Sequence, residues 1–255
     1  MKKVRDLLVR AVERPKADYF LLKLTDSEPL PDMQPGQFVE LKVEHTPEVF
    51  LRRPISINYY DTELREMWLL IHEVGAGTRA LGRLQPHDTV NCVFPLGRGF
   101  SPNPAGQNVL LVGGGVGTAP LLQYGRELNA AGRKVWFLLG GRTASDVLQL
   151  NLFEQYGQVC LTTEDGSLGE TGFVTQHSVL NRQRFDFIAT CGPKPMMQAV
   201  ARYAKERGIE CEASLENLMA CGLGACLCCV EKTTTGNRCV CKEGPVFNIK
   251  ELLWQ

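Results

Sequence analysis

The chain has 255 residues, of which 44% are hydrophobic and 22% charged, and its 28 basic and 28 acidic residues cancel to a formal net charge of zero. That balance argues against nucleic acid or an anionic membrane surface as a partner. No apolar run reaches the roughly 20 residues a membrane span needs, and the basic start Met1-Lys2-Lys3-Val4-Arg5-Asp6 lacks the apolar core of a signal peptide. A cytoplasmic location is expected.

Residues 1–102 read as a β-rich domain. Short apolar or alternating runs recur at Val9–Val12, Tyr19–Leu24, Phe38–Val43, Ile55–Tyr59, Met67–His72 and Thr89–Phe94. Turn signals such as Gln34-Pro35-Gly36-Gln37 and Pro95-Leu96-Gly97 separate them, and one helix is expected from Gly77 to about Leu84. Strands at this spacing predict a small antiparallel barrel. Residues 103–212 change character. Buried strands at Asn108–Val112, Val135–Gly140, Val159–Thr162 and Phe187–Thr190 alternate with helices at Ala119–Ala131 and Pro195–Gly208. That alternation predicts parallel βαβ units. Residues 213–255 form a cysteine-rich segment with few apolar residues, a composition that calls for a metal centre to fold.

Seven of the ten cysteines (Cys211, Cys221, Cys226, Cys228, Cys229, Cys239 and Cys241) crowd into 31 residues. In a reducing compartment such crowding points to metal or redox chemistry. The spacing Cys221-x4-Cys226-x2-Cys229 is that of a plant-type [2Fe–2S] cluster, which takes a distant fourth thiolate. Cys239 and Cys241 compete for that place, and Cys241 is favoured because the Gly-Pro turn after it would hold a loop position. Gly222 and Gly224 permit positive φ, so that backbone N–H groups can turn toward the sulfurs and tune the centre. A structural zinc site is the other occupant of four thiolates, but it pairs two C-x2–4-C knuckles, and here three cysteines cluster with a lone fourth.

Two segments suit a flavin. Arg52-Arg53-Pro54-Ile55-Ser56-Ile57 opens a strand; an arginine fork suits a diphosphate, and a serine shortly after it can meet the flavin ring near N5. Leu70-Ile71-His72-Glu73-Val74-Gly75-Ala76-Gly77-Thr78 is a strand entering a glycine turn and a helix, where free N–H groups approach phosphate. Two further segments suit a nicotinamide nucleotide. Gly113-Gly114-Gly115-Val116-Gly117-Thr118-Ala119-Pro120 follows a buried strand and opens a helix. Cys191-Gly192-Pro193 ends the last buried strand, and both lie at carboxyl ends of parallel strands, where ligands bind. No acid–base or nucleophilic triad stands out, and no side chain is assigned a catalytic role.

With these residues in hand, the whole chain resembles the ferredoxin–NADP reductase superfamily, and its order of barrel, nucleotide domain and C-terminal cysteine loop resembles the electron-transfer subunits of type B dihydroorotate dehydrogenases. The resemblance implies a ferredoxin reductase-like fold: an FAD-binding β-barrel domain (1–102), an α/β NAD-binding domain (103–212) and a small [2Fe–2S] domain (213–255). It implies FAD contacts at Arg53, Pro54, Ile55, Ser56, Leu70, Ile71, His72, Gly77 and Thr78. NAD contacts are implied at Gly114, Gly115, Gly117, Thr118, Cys191, Gly192 and Pro193, and cluster ligands at Cys221, Cys226, Cys229 and Cys241. It further implies an FMN-containing dihydroorotate dehydrogenase catalytic subunit as partner, two of each in a heterotetramer, and a place in pyrimidine (UMP) biosynthesis. Electrons would pass from the FMN through the cluster and FAD to NAD+. The rival readings are a diaphorase subunit of a ferredoxin-dependent transhydrogenase, a sulfide dehydrogenase or a hydrogenase, and, in another class, a zinc-stabilised redox sensor or adaptor.

Overall fold

The computed structural model describes residues 2–254. The chain divides into two compact units. The first holds the chain up to Gly99 together with Asn217–Glu231 and Arg238–Pro245. The second holds Phe100–Glu216, Lys232–Asn237 and the chain from Val246. The residues 213–255 expected as a C-terminal domain are thus shared out between the two.

The first unit is built on strands β1 (Lys3–Lys16), β2 (Tyr19–Thr25), β3 (Phe38–Leu41), β4 (Arg53–Ser56), β5 (Tyr59–Asp61), β6 (Glu66–His72) and β7 (Thr89–Leu96), with helix α1 (Ala76–Leu81) between β6 and β7. They form one antiparallel sheet in the order β4-β3-β7-β1-β2-β6-β5. Its edge strands β4 and β5 are separated in sequence only by Ile57 and Asn58, a span of roughly 10 Å at most, so the two edges meet and the sheet closes as a barrel. The single strand expected over Ile55–Tyr59 is broken at this corner: Ile57 is 1% and Asn58 0% exposed, and Asn58 N–H donates to Trp68 O (2.9 Å). β1 runs far beyond the expected Val9–Val12, because its first half pairs with β7 and its second with β2. Inward residues Leu7 and Val9 join Phe20, Leu22, Val39, Leu41, Met67, Leu69 and Phe94 in one core, and burial of that kind is worth about 25 cal/mol per Å2 of apolar surface.

The second unit carries β8 (Asn108–Gly114), α2 (Ala119–Ala130), β9 (Lys134–Gly141), α3 (Leu150–Phe153), β10 (Gln158–Thr163), β11 (Glu170–Thr171), α4 (Val179–Arg182), β12 (Phe187–Cys191), α5 (Lys194–Glu206) and β13 (Glu210–Ser214). After β13 come a hairpin of β14 (Val230–Thr233) and β15 (Gly236–Cys239), the single turn α6 (Val240–Glu243) and β16 (Val246–Asn248). The sheet order is β11-β10-β9-β8-β12-β13-β16. All neighbours are parallel except β13 and β16, which run antiparallel. β13 is a strand the apolar pattern does not announce. Its two acids are engaged: Glu212 accepts from Ser101 N–H (2.9 Å), and Glu210 accepts from Asn248 (3.0 Å) and pairs with Lys250. No helix among the described residues is long and apolar enough to cross a membrane.

Candidate functional site

In the first unit the two predicted flavin segments come together. Arg53 opens β4 and its guanidinium lies over Gly77 of α1, so closely that a Cβ on Gly77 would stand 2.5 Å from Arg53 Nε. Any side chain there would displace the arginine. Thr78 is spent locally: its hydroxyl accepts from Val74 N–H (3.0 Å) and Gly75 N–H (3.1 Å), which caps α1. Arg52 has a different job from its neighbour. It donates to Asn91 O (2.9 Å), Asn91 Oδ1 (2.5 Å) and Glu40 O (3.3 Å), bracing β3 and β7. Ser56 pairs with Phe38 across β3–β4. Leu70 and Ile71 point into buried surroundings at 1% exposure, which leaves their backbone for any ligand. The His72 ring stacks on Tyr19 (centroids 4.2 Å apart) and meets Asp18 Oδ2 at 3.1 Å, so its side chain is also occupied.

The cysteine loop belongs to the same unit. Gly222 (φ +64) and Gly224 (φ +82) take left-handed conformations, which glycine adopts without the Cβ clash. Those turns aim backbone N–H groups at sulfur: Leu223 and Ala225 donate to Cys221 Sγ (3.3 and 3.4 Å), Gly224 donates to Cys241 Sγ (3.1 Å) and Cys241 donates to Cys229 Sγ (3.3 Å). The thiols approach as two pairs, Cys221 with Cys226 and Cys229 with Cys241. The N–H of Leu223, followed by that of Cys226, lowers the Cys221 thiol to about 6, while burial pushes Cys241 up to about 12. Among the described residues no three His, Cys, Asp or Glu side chains converge on a single ion position. Two pairs suit a dinuclear centre, in which each iron takes two thiolates. Adjacent Cys228 and Cys229 face opposite ways, the first exposed and the second buried. Of the two candidates for the fourth place, Cys241 is buried against Cys229, whereas Cys239 is half-buried, with its N–H held by Glu243 Oε2 (2.8 Å).

One residue of this region was not singled out from the sequence. Glu40, in β3, is 1% exposed and neither carboxylate oxygen has a hydrogen-bond partner. Burial pushes its carboxyl up to about 7 against the opposing pull of Arg52. The only signal was a charge inside the apolar run Phe38-Val39-Glu40-Leu41.

In the second unit the two nucleotide segments meet at the switch between β9 and β12, the strands on either side of β8. Open α/β sheets bind ligands at such a switch, beyond the strands' carboxyl ends. Gly114 ends β8, a 3-10 turn covers Gly115–Thr118, and α2 follows with Pro120 in its first turn. Cys191 pairs with Gly113 across the strands. A Cβ on Gly117 would lie 2.4 Å from Gly192 Cα and 2.6 Å from Cys191 O, and one on Gly114 would lie 2.8 Å from Met196 Sδ. The two segments therefore pack backbone to backbone. Pro193 caps α5, and Thr118 Oγ1 donates to Gly115 O (3.0 Å). Cys191 is 1% exposed and its burial raises the thiol, so it serves as a small buried wall and not as a nucleophile.

Residues 216–253 match the family model "Iron-sulfur cluster binding domain of dihydroorotate dehydrogenase B", and residues 111–202 match "Oxidoreductase NAD-binding domain". The dihydroorotate dehydrogenase B (NAD(+)) electron transfer subunit of Shouchella clausii is 41% identical over 86% of both chains. That of Listeria monocytogenes is 40% identical over 92% of this chain and 94% of its own. This chain belongs to the family of dihydroorotate dehydrogenase B electron transfer subunits. Among solved structures, an NADH-dependent reduced ferredoxin-NADP oxidoreductase superposes with a TM-score of 0.87 at 28% identity, covering 97% of this chain and 90% of that one. An Amycolatopsis cytochrome P450 reductase superposes with a TM-score of 0.68 at 28% identity, over 81% of this chain and 67% of that one. The fold is ferredoxin reductase-like: an antiparallel barrel, a parallel nucleotide-binding sheet and an iron–sulfur segment.

Proposed function

We propose that this chain is the electron-transfer subunit of an NAD-linked dihydroorotate dehydrogenase, working beside a separate FMN-bearing catalytic subunit in pyrimidine biosynthesis. The observation that carries the reading is the pairing of Cys221 with Cys226 and Cys229 with Cys241, under three N–H···S contacts from the loop's own backbone and a fourth from Cys241. Such a loop holds a [2Fe–2S] centre with Cys221, Cys226, Cys229 and Cys241 as ligands. When bound, FAD supplies the junction between one-electron transfer at the cluster and two-electron transfer to nicotinamide.

The chain's own residues hold and orient these groups. Arg53 offers its fork to the flavin diphosphate, with Gly77 giving the backbone room to approach. Ser56 and the backbone of Leu70–His72 line the ring. Gly114, Gly115, Gly117 and Thr118 receive the nucleotide against Cys191, Gly192 and Pro193, with NAD as the expected form. The N–H donors at Leu223, Gly224, Ala225 and Cys241 stabilise thiolate charge. No side chain acts as acid or base, and dihydroorotate is oxidised on the partner, in an assembly of two subunits of each kind. The 41% identity to a dihydroorotate dehydrogenase subunit, against 28% to the ferredoxin-linked oxidoreductase, favours this reading over a diaphorase subunit of another complex.

The test is co-expression with an FMN-barrel dihydroorotate dehydrogenase. The pair should reduce NAD+ with dihydroorotate. The isolated chain should oxidise NADH with an artificial acceptor and leave dihydroorotate untouched. Dihydroorotate oxidation by the isolated chain, or a chain that purifies with zinc and no flavin, overturns the reading.

A further inference from the structure

Asp146, Glu164 and Asp165 stand just beyond the carboxyl ends of β9 and β10, and the two aspartates are tied to the backbone. Asp146 Oδ2 accepts from the N–H groups of Arg142 and Thr143 (3.1 Å each). Asp165 Oδ1 accepts from Ser167 N–H (3.0 Å) and Ser167 Oγ (2.6 Å), and Ser167 Oγ in turn accepts from Ala144 N–H (2.8 Å). These bonds lock the loops 142–146 and 164–167 into one rim. Glu164 is different: it is exposed, and no hydrogen bond or ion pair among the described residues takes up its carboxylate.

The rim lies in the same compact unit as the nucleotide segments. Gly114, which ends β8, pairs with Gly140, and Gly140 pairs with Thr162, so the carboxyl ends of β8, β9 and β10 are level. Neighbouring strands are about 4.8 Å apart, which puts Glu164 roughly 10 Å across the rim from the glycine turn. In a dinucleotide site the adenosine ribose is read just beyond the strand that follows the glycine turn. An acid there takes the 2′-hydroxyl of NAD, and an arginine accommodates the 2′-phosphate of NADP. That strand is β9, and it runs out through Gly140-Gly141-Arg142 with no acid. Glu164 comes into the place from β10: its N–H donates to Gly141 O (3.1 Å), and the N–H of Asp165 donates to Arg142 O (3.2 Å). Two residues of opposite charge, Arg142 and Glu164, thus adjoin at the point where the two nucleotides differ.

We propose that Glu164 is the residue by which this chain tells NAD from NADP: its carboxylate accepts from the 2′-hydroxyl of the adenosine ribose and repels a 2′-phosphate at the same place. The proposal rests on the nucleotide site and the function proposed above, and adds the residue that sets the preference of that site. Arg142 is exposed as well, and its cation alone would favour the phosphate. A 2′-phosphate drawn to Arg142 would, however, sit beside a carboxylate that no other side chain neutralises. Like charges about 4 Å apart at a protein surface repel by enough to cost about tenfold in affinity or more. The ribose hydroxyl meets no such penalty and gains a hydrogen bond to a charged acceptor.

The experiment is a calorimetric titration of the loaded two-subunit complex with NAD+ and with NADP+, the complex being fully oxidised so that neither nucleotide reacts. Wild type is expected to bind NAD+ at least about tenfold more tightly than NADP+. Glu164→Gln keeps the shape and removes the charge. It is expected to lower the ratio of the two affinities about tenfold, chiefly through tighter NADP+. NAD+ should stay within about threefold of wild type, since the amide oxygen still accepts. Arg142→Ala, which removes the neighbouring cation, is expected to leave NAD+ preferred. Equal binding of the two nucleotides by wild type overturns the proposal, and so does a Gln variant with the wild-type ratio. A ratio that falls only through weaker NAD+ overturns it too, because repulsion would then be absent. Loss of the preference in Arg142→Ala does the same. A complex that carries its flavin and binds neither nucleotide fails at the earlier step and overturns the nucleotide site on which the proposal stands.

Discussion

The loop at 113–118 and the loop at 221–229 both turn on glycine, and they reach their shapes by different routes. The first grows out of β8, between two parallel neighbours, and closes on itself: Gly115 sits at φ +56, Thr118 bonds back to Gly115, and Gly117 lies against Gly192 and Cys191. Nothing more than the sheet is needed to hold it. The second has no strand within it. Leu223 and Leu227 are 50% and 63% exposed, Cys226 and Cys228 are exposed, and Leu227 takes a left-handed φ of +59, which costs a non-glycine residue about 1–2 kcal/mol. Its main organising contacts are N–H groups aimed at sulfur. A nucleotide loop can be preformed because its ligand comes and goes. A metal loop can leave part of its folding energy to the metal that stays.

Removing one thiol separates the two loops most sharply. Cys241→Ser should bring iron and acid-labile sulfide to background while NADH affinity stays within about threefold of wild type, since the nucleotide loop draws nothing from the metal. Cys239→Ser should retain the iron; loss of iron from Cys239→Ser and not from Cys241→Ser would reverse the ligand assignment. Next in size is Gly117→Ala. Its Cβ meets backbone atoms at 2.4 and 2.6 Å that cannot rotate away. Overpacking of this kind costs about 1–3 kcal/mol, seen as a lower melting temperature together with weaker NADH binding and unchanged iron content. Gly224→Ala is the smallest. Its φ of +82 penalises any side chain, but the atom that its Cβ meets is the flexible Lys242 Cδ at 2.9 Å. A cost of about 1 kcal/mol should slow iron incorporation without abolishing it. If Gly224→Ala proved more damaging than Gly117→Ala, the cysteine loop would be the more rigidly preformed of the two.

The positions where the chain shows its chemistry were readable because they sit in strong local patterns. Cys221-x4-Cys226-x2-Cys229 is a spacing, and Gly113–Thr118 after Asn108–Val112 is a strand followed by a glycine turn. Each motif also says which element must hold it. The strand breaks were less readable. Ile55–Tyr59 alternates apolar and polar residues like one unbroken strand, yet the barrel turns at Ile57 and Asn58 to join its edges. β13 looks too acidic to be buried until Ser101, Asn248 and Lys250 are seen to satisfy its glutamates. β16 is three residues long, and only its antiparallel pairing with β13 makes it a strand.

The sequence by itself determined the order of elements, the glycine turn at Gly113–Thr118 after a buried strand and the three cysteines in the plant-type spacing, because each depends on residues close together in the chain. The tertiary structure decided what depends on residues far apart. It sets Cys241, and not Cys239, against Cys229. It lays Arg53 over Gly77 and Gly117 on Gly192. It also buries the Glu40 carboxyl, unpartnered, against Gly222, which follows the first cysteine of the cluster motif. A carboxyl in an apolar strand carries no sign of what it will face; only the packing of a loop from 182 residues further along the chain gives it a neighbour.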